Sequence, residues 1–363
     1  MGITIADDEG LWLAVVDALS GGAAVAPAGP DGPRVAALVR PEIPLDHPDA
    51  AAIVATSGST GDPKAVVLTR AALLASAAAT HARLGGTGTW TSALPLHYVA
   101  GLMTMVRAVH AGTTPRQAPS DLSALPLAPG RNYLSIVPAQ LHRALDDPAC
   151  VARLAAFDAV LVGGAAASDA LVADARGRGI SVVTTYGMAE TSGGCVYDGV
   201  PLDGVNVTPD ADGRLLIASP TLFVGYRLRP ELTAQVLVGG RFRSEDRGVF
   251  EDGRLRVLGR LDDVVIVGGA NVDLAHLRRI TAELFGPPEA GGPLLVAVPD
   301  ERWGVRIAAV ATAGPTLDDL RGALTGRVPS AALPRAHVAV EVLPVTATGK
   351  IDLRAAVRIA REG

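Results

Sequence analysis

Apolar runs of strand length recur along the chain, at Ala51–Ala55, Ala65–Leu68, Leu134–Val137, Ala159–Val162 and Val182–Thr185. Between them Arg70–Leu84 and Ser168–Arg178 have helix-forming composition, with Thr69 and Ser168 as N-caps. Strands alternating with helices predict an α/β architecture. From about Gly199 to Val257 the pattern shifts to short strands parted by Asp-Gly, Gly-Gly and Arg-Pro turns, which predicts hairpins and a β-rich subdomain. After Gly259-Arg260 it restarts: a strand at Val264–Val267, a helix at Asp273–Phe285, strands near Leu294–Val298 and Ile307–Thr312, another helix, and a strand at Val338–Leu343. That is the pattern of a small α+β domain. The Pro/Gly-rich stretches Ala26–Pro33 and Gly286–Pro293 read as loops, and no solenoid-period repeat is visible.

Composition narrows the function classes. A chain of 363 residues, 49% hydrophobic, can bury a large core and more than one domain. A net charge of -5 with scattered arginines offers no basic face for a nucleic-acid backbone, so a small-molecule substrate is the default. Two cysteines, Cys150 and Cys195, are too few for a disulfide framework and lack paired metal-ligand spacing. The acidic N-terminus is unlike a signal peptide and no long uncharged apolar run appears, so a cytoplasmic protein without a membrane partner is expected.

The first segment with chemistry in it is Ala55-Thr-Ser-Gly-Ser-Thr-Gly-Asp-Pro-Lys64. Glycines let backbone N–H groups approach a phosphate, the hydroxyls of Thr56, Ser57, Ser59 and Thr60 add donors, and Lys64 supplies a point charge. It is not a Walker A loop, because Asp62-Pro63 separate Gly61 from Lys64 and Ala65 stands where a Mg-binding hydroxyl belongs. A surface turn between strands would look similar. The second segment is Tyr186-Gly-Met-Ala-Glu-Thr191: an aromatic face suits a purine, and a hard carboxylate oxygen suits Mg2+.

Together these segments resemble the adenylate-forming, AMP-binding superfamily of acyl-CoA synthetases, luciferases and peptide-synthetase adenylation domains. The resemblance implies that Thr56, Ser57, Gly58, Ser59, Thr60, Gly61 and Lys64 wrap the phosphates of ATP. It also implies that Tyr186, with Gly187 and Met188, meets adenine, that Glu190 binds Mg2+, and that Thr191 contacts the α-phosphate. Gly163, Gly164, Ala165 and Ala166 are similar to the small-residue wall of the adenine and acyl pockets. Asp246 matches the aspartate that accepts from both ribose hydroxyls, although Glu245 stands where Gly is usual. Gly259-Arg-Leu-Asp-Asp263 resembles the boundary element, which puts Arg260 on ribose and makes Asp262 the pivot. Gly268, Gly269 and Asn271 are similar to the turn presented to coenzyme A, and Pro344-Val-Thr-Ala-Thr-Gly-Lys350 to the loop whose lysine enters for adenylation. The implied organisation is an AMP-binding N-terminal domain over 1–258, a hinge over 259–262 and a small mobile C-terminal domain over 263–363. Fewer residues precede the phosphate loop than in most relatives, so much of the usual N-terminal subdomain is expected to be reduced or absent.

The implied reaction has two halves. A carboxylate attacks the α-phosphorus of ATP and expels pyrophosphate, helped by Lys350, Glu190, Thr191 and the loop donors. Coenzyme A then displaces AMP. Three further segments, Pro95–Gly101, Ser135–Leu141 and Thr191–Gly199, resemble the superfamily's o-succinylbenzoate-CoA ligases of menaquinone synthesis, in their short actinobacterial form. Such a substrate keeps an unreacted aromatic carboxylate. Arg107, the cation of the apolar stretch Val99–Val109, is the candidate to meet it, the alternative being an arginine snorkelling at a helix edge. His97 or Tyr98 is expected to line the acyl pocket, where the family places its histidine one position later than His97; Ser192 and Gly193 complete it. A ligase for another aryl or medium-chain acid, or an adenylation domain loading a carrier protein, remains a competing reading, and a homodimer is compatible with either.

Overall fold

The structure, a computed structural model, describes residues 2–56, 63–312, 314–345 and 351–362. It is an α/β protein of two compact units. One comprises Met1–Thr208, Leu216–Ser244 and Phe250–Leu255; the other comprises Pro209–Leu215, Glu245–Val249 and Arg256–Gly363.

The larger unit is built on two sheets. In the first, Ile3–Ala6, Ala24–Pro27 and Ala50–Thr56 run parallel, and Lys64–Thr69 and then Gly225–Tyr226 add on antiparallel. The second has seven strands in the order Val200–Pro201, Gly193–Tyr197, Val182–Met188, Ala159–Val162, Asn132–Ile136, Thr89–Ser92, Arg116–Gln117, parallel from Val182–Met188 onward. Its strands are apolar on both sides because both faces are covered. On one face Leu134, Ile136, Val160 and Val162 pack with Leu141 and Leu154. On the other, Tyr133, Ala159 and Leu161 pack with Trp90 and Tyr197.

Helix Arg70–Arg83 starts where expected: the Thr69 hydroxyl accepts from the Ala72 N–H at 3.1 Å. Ser168 caps Asp169–Gly177 in the same way through Leu171 N–H at 3.2 Å. The stretch Ala26–Pro33, expected as a loop, instead straddles the end of strand Ala24–Pro27 and the first turn of helix Gly32–Val39, where Pro33 sits at a position that needs no N–H donor. The far end of that helix is tied down by Arg227, whose guanidinium donates to the carbonyls of Val39 (2.9 Å), Pro44 (3.0 Å), Arg40 (3.1 Å) and Ile43. The hairpin-rich region also holds a helix, Pro230–Val236, opened by its proline.

In the smaller unit Leu294–Asp300 pairs antiparallel with Gly304–Ala311, which pairs parallel with Ala336–Ala339. Alternation along these strands sends Leu295, Ile307 and Ala309 to one core, with Leu277 of helix Leu274–Phe285 and Leu320 of helix Leu317–Leu324. Val296, Ala308 and Val310 go to the other, with Ala356 and Ala360 of helix Leu353–Glu362. The strand expected over Val338–Leu343 leaves the sheet earlier, because its partner strand ends at Ala311; Leu343 still buries its side chain in that second core.

Candidate active site

The strand Val182–Met188 ends in a tight 3-10 turn, Ala189–Thr191, and returns antiparallel as Gly193–Tyr197. The return is close enough that a Cβ at Gly187 would lie 2.1 Å from the Gly193 carbonyl oxygen. Ser192 takes a left-handed φ of 51° and is held there: its hydroxyl donates to Thr221 O at 2.8 Å, and its carbonyl accepts from Ser76 Oγ at 2.8 Å. Thr191 is fully buried, with Oγ1 accepting from Met188 N at 2.9 Å and 2.7 Å from Gly193 O. Its hydroxyl is thus engaged inside the turn as a clamp.

Glu190 comes out of this turn half-buried. Its carbonyl accepts from Phe223 N at 2.9 Å, and its Oε1 accepts from the Tyr226 hydroxyl at 2.8 Å. The Lys64 ammonium lies 5.2 Å from the centroid of the same tyrosine ring, and Lys64 pairs with Thr56, whose Oγ1 is 3.3 Å from Lys64 O. Lys64, Thr56 and Glu190 are therefore neighbours of one aromatic side chain or of one another. Ser57, Gly58, Ser59, Thr60, Gly61 and Lys350 lie outside the described residues.

Beyond strand Ala159–Val162, Gly164, Ala165 and Ala166 are exposed, and Gly163 abuts strand Val182–Met188, where a Cβ would lie 2.1 Å from Thr185 Oγ1. Tyr186, Gly187 and Met188 are half-buried along that strand. Tyr186 and the small-residue segment thus lie on, and just past the end of, adjacent strands of one sheet.

Arg107 is not at a helix edge. It lies within helix Val99–Ala111, 4% exposed, which overturns the snorkelling alternative. Its guanidinium stacks 4.6 Å over Trp90 and its Nη2 donates to the Tyr197 hydroxyl at 3.3 Å, while Nε is buried with no hydrogen-bond partner among the described residues. Burial pulls it down from the usual arginine range, and no carboxylate among the described residues offsets that. Gly193 is next to it: a Cβ there would lie 4.0 Å from Arg107 Nη2 and 3.2 Å from Met103 Cγ. Behind the stack, Trp90 Nε1 donates to His81 Nε2 at 2.9 Å. Indole N–H only donates, so His81 carries its proton on Nδ1, which faces His110 Nδ1 at 3.0 Å. His97 and Tyr98 are half-buried at the start of the same helix, rings 4.2 Å apart, with Gly29 against the His97 ring. His97 Nδ1 is buried without a partner among the described residues, and burial lowers its pKa while raising that of Tyr98.

In the smaller unit Arg260 is already occupied: Nε donates to Asp262 Oδ1 at 2.7 Å and Nη2 to Glu245. Burial would lower its pKa, but Asp262 and Glu245 outweigh that and hold it raised. Arg260, expected on ribose, and Asp262, expected at the hinge, are thus paired with each other, and Arg260 also pairs with Glu245, which stands where glycine was expected. Asp246 is half-buried beside it. Gly268 and Gly269, at φ 56° and 85°, turn the hairpin between Val264–Val267 and Ala270–Asp273. Gly268 also packs on Trp303, whose ring a Cβ would meet at 2.6 Å, and Asn271 is exposed.

Sequence reading missed Tyr226, Trp90 and His81. Tyr226 carries a faint signal, an aromatic after glycine in a turn-rich stretch; the other two read as ordinary core. Among the described residues no group of three or more His, Cys, Asp or Glu side chains could hold a metal ion alone. A single carboxylate at Glu190 suits Mg2+, which keeps waters and takes one or two carboxylates with nucleotide phosphates. Among the described residues, no helix is long and apolar enough to cross a membrane.

Residues 13–219 match the profile of a family described as AMP-binding enzyme. A Mycobacterium tuberculosis protein named probable 2-succinylbenzoate–CoA ligase is 44% identical over 85% of this chain and 84% of its own length. Among solved structures, a variant of E. coli MenE with bound OSB-AMS superposes with a TM-score of 0.77 at 24% identity, covering 100% of this chain and 88% of that one. Bacillus subtilis MenE, an O-succinylbenzoate coenzyme A synthetase in complex with ATP and magnesium, gives 0.71 at 22% identity, over 91% and 75%.

Proposed function

Because this chain belongs to the AMP-binding enzyme family, we propose that it is an ATP-dependent acid–CoA ligase whose substrate is o-succinylbenzoate. The observation that carries the substrate is Arg107, a buried guanidinium with an unpartnered Nε and no carboxylate beside it among the described residues. A cation taken out of water without a counter-charge is costly, and a substrate carboxylate that stays unreacted supplies one. The 44% identity to a probable 2-succinylbenzoate–CoA ligase supports the same acid.

In the first half-reaction the succinyl carboxylate oxygen attacks the α-phosphorus, the bond from that phosphorus to the bridging oxygen breaks, and pyrophosphate leaves. Lys64 and the Ser/Thr/Gly segment before it hold the phosphates. Thr191 and Ser192 keep the turn rigid, so that Glu190 and the Tyr186 strand meet the nucleotide in fixed register. Mg2+, held by Glu190, neutralises phosphate charge when bound. Lys350 compensates the negative charge that builds on carboxylate and α-phosphate oxygens. In the second half-reaction the coenzyme A sulfur attacks the acyl carbon, the bond to AMP breaks, and the thiol proton leaves to solvent. For this step we assign Gly268, Gly269 and Asn271 to the thiol's approach, Asp246 to ribose, and residues 259–262 to the hinge. ATP and coenzyme A are cytoplasmic, which is where this reading puts the protein.

The test is a panel of o-succinylbenzoate, benzoate and hexanoate with ATP, Mg2+ and coenzyme A, following AMP and thioester, for the wild type and Arg107→Met. The expected result is a preference for o-succinylbenzoate, with its KM raised about 30-fold or more in R107M and little change for benzoate. Preference for a monocarboxylate sinks the substrate assignment. Equal losses on all three acids sink the role of Arg107.

A further inference from the structure

Tyr226 touches both charged groups assigned to the nucleotide, yet it is neither charged nor in either of their segments. It belongs to the two-residue strand Gly225–Tyr226, in register with Val66, so Lys64 is its diagonal neighbour. We propose that Tyr226 is a positioning residue for magnesium-dependent ATP binding: its hydroxyl fixes the plane of the Glu190 carboxylate and its ring seats the Lys64 ammonium. The inference rests on the reading of Glu190 as the Mg2+ ligand.

Rigidity is the first support. Tyr226 is 6% exposed, its ring packs on Phe223 with centroids 5.0 Å apart, and its N–H donates to Thr233 Oγ1 at 2.9 Å. The residues around it are stitched to strand Lys64–Thr69 by Val224 N to Val67 O at 3.0 Å and Arg227 N to Ala65 O at 2.8 Å. Arg227 is in turn locked into the carbonyls that end helix Gly32–Val39. A phenol carried on such a strand does not follow the carboxylate; the carboxylate follows it.

Convergence is the second. Segment 223–226 grips Glu190 twice, by Phe223 N–H on its backbone carbonyl at 2.9 Å and by the Tyr226 hydroxyl on Oε1 at 2.8 Å. Carboxylates that ligate metals are themselves oriented by hydrogen bonds, and losing such a bond typically costs metal affinity. The ring serves the cation differently. An ammonium over an aromatic face is held by the quadrupole without losing its charge to a carboxylate, so Lys64 remains available for a phosphate.

The experiment is calorimetric ATP binding at stepped Mg2+ for the full chain and for Tyr226→Phe, Tyr226→Leu, Glu190→Gln and the double variant Y226F/E190Q. Phenylalanine keeps the ring and its packing on Phe223, and unliganded melting checks the fold. Y226F is expected to need about 10-fold more Mg2+ for half-maximal ATP binding, while saturating Mg2+ restores affinity. The double variant should be no worse than E190Q. Y226L should also bind ATP more weakly at saturating Mg2+, because Lys64 loses its seat. If E190Q moves the Mg2+ requirement and Y226F does not, the inference fails while Glu190 keeps its role. If E190Q leaves the requirement unchanged, the reading of Glu190 itself falls. A Y226L that behaves like Y226F removes the Lys64 half of the proposal.

Discussion

His81 shows how much of this site's chemistry is set by single side chains with no catalytic role. Both its nitrogens are spent, one accepting from Trp90 and the other facing His110, and it is 3% exposed. Burial first, then the charges of His110 and Arg107, pull its pKa down to about 4. The sign of the consequence is fixed. Below the unfolded value of 6.5 the unfolded chain takes up a proton that folded His81 refuses until about pH 4, so the stability His81 confers is whole above 6.5 and drains away between 6.5 and 4. His81→Gln can still accept from the indole but cannot titrate. Its stability deficit against wild type, read from urea unfolding at stepped pH, is expected to shrink steadily across that window. Parallel curves for the two proteins would show that the ring titrates normally. The same reasoning explains why Trp90 is a good neighbour for Arg107: with His81 neutral, the indole offers its face to the guanidinium without a second cation behind it.

At the scale of elements, the turn at residues 189–191 depends on how closely strands Val182–Met188 and Gly193–Tyr197 approach. A methyl group at Gly187 would meet Gly193 O at 2.1 Å and Gly194 Cα at 2.6 Å, backbone atoms of a paired strand that cannot swing aside. Gly187→Ala is expected to cost about 1–3 kcal/mol and to lower the melting temperature by several degrees. It should weaken ATP binding as well, because the strands splay at the root of Glu190. Unchanged melting would mean that the two strands separate without penalty. The strands and caps of this fold were legible beforehand: Ala159–Val162 and Val264–Val267 fall on their expected residues, and Thr69 and Ser168 cap as their hydroxyls imply. Local pattern carries such elements because burial and capping are decided by neighbours in the chain. The pairings of Tyr226 with Glu190 and of Arg107 with Tyr197 could not be seen this way. Tyr226 reaches Glu190 across 36 positions and Arg107 reaches Tyr197 across 90, so no window contains both partners. Arg260 shows the converse: its motif was plain, but its pairing with Glu245 depends on a strand 15 residues away.

For the whole molecule, the division into two units gives the proposed reaction its most discriminating test. The turn bearing Glu190 lies in the larger unit, while helix Leu353–Glu362, which follows Lys350, lies in the smaller one. If adenylation needs an ammonium from the smaller unit and thioesterification does not, the two half-reactions must respond differently to its loss. On the proposed reading Lys350→Ala removes charge compensation at the attacked phosphorus, and the removal of one such preorganised donor costs about 100-fold or more in rate. Pyrophosphate exchange with acid and ATP should fall by that amount. Conversion of supplied o-succinylbenzoyl-adenylate and coenzyme A to thioester should change by less than about 10-fold, since no α-phosphorus is attacked in that step. Glu190→Gln provides the contrast, because a carboxylate lost from the larger unit should depress ATP binding itself. Equal losses in both half-reactions for K350A would mean that Lys350 supports the fold or both chemistries alike, and the assignment of one lysine to one half of the reaction would be abandoned.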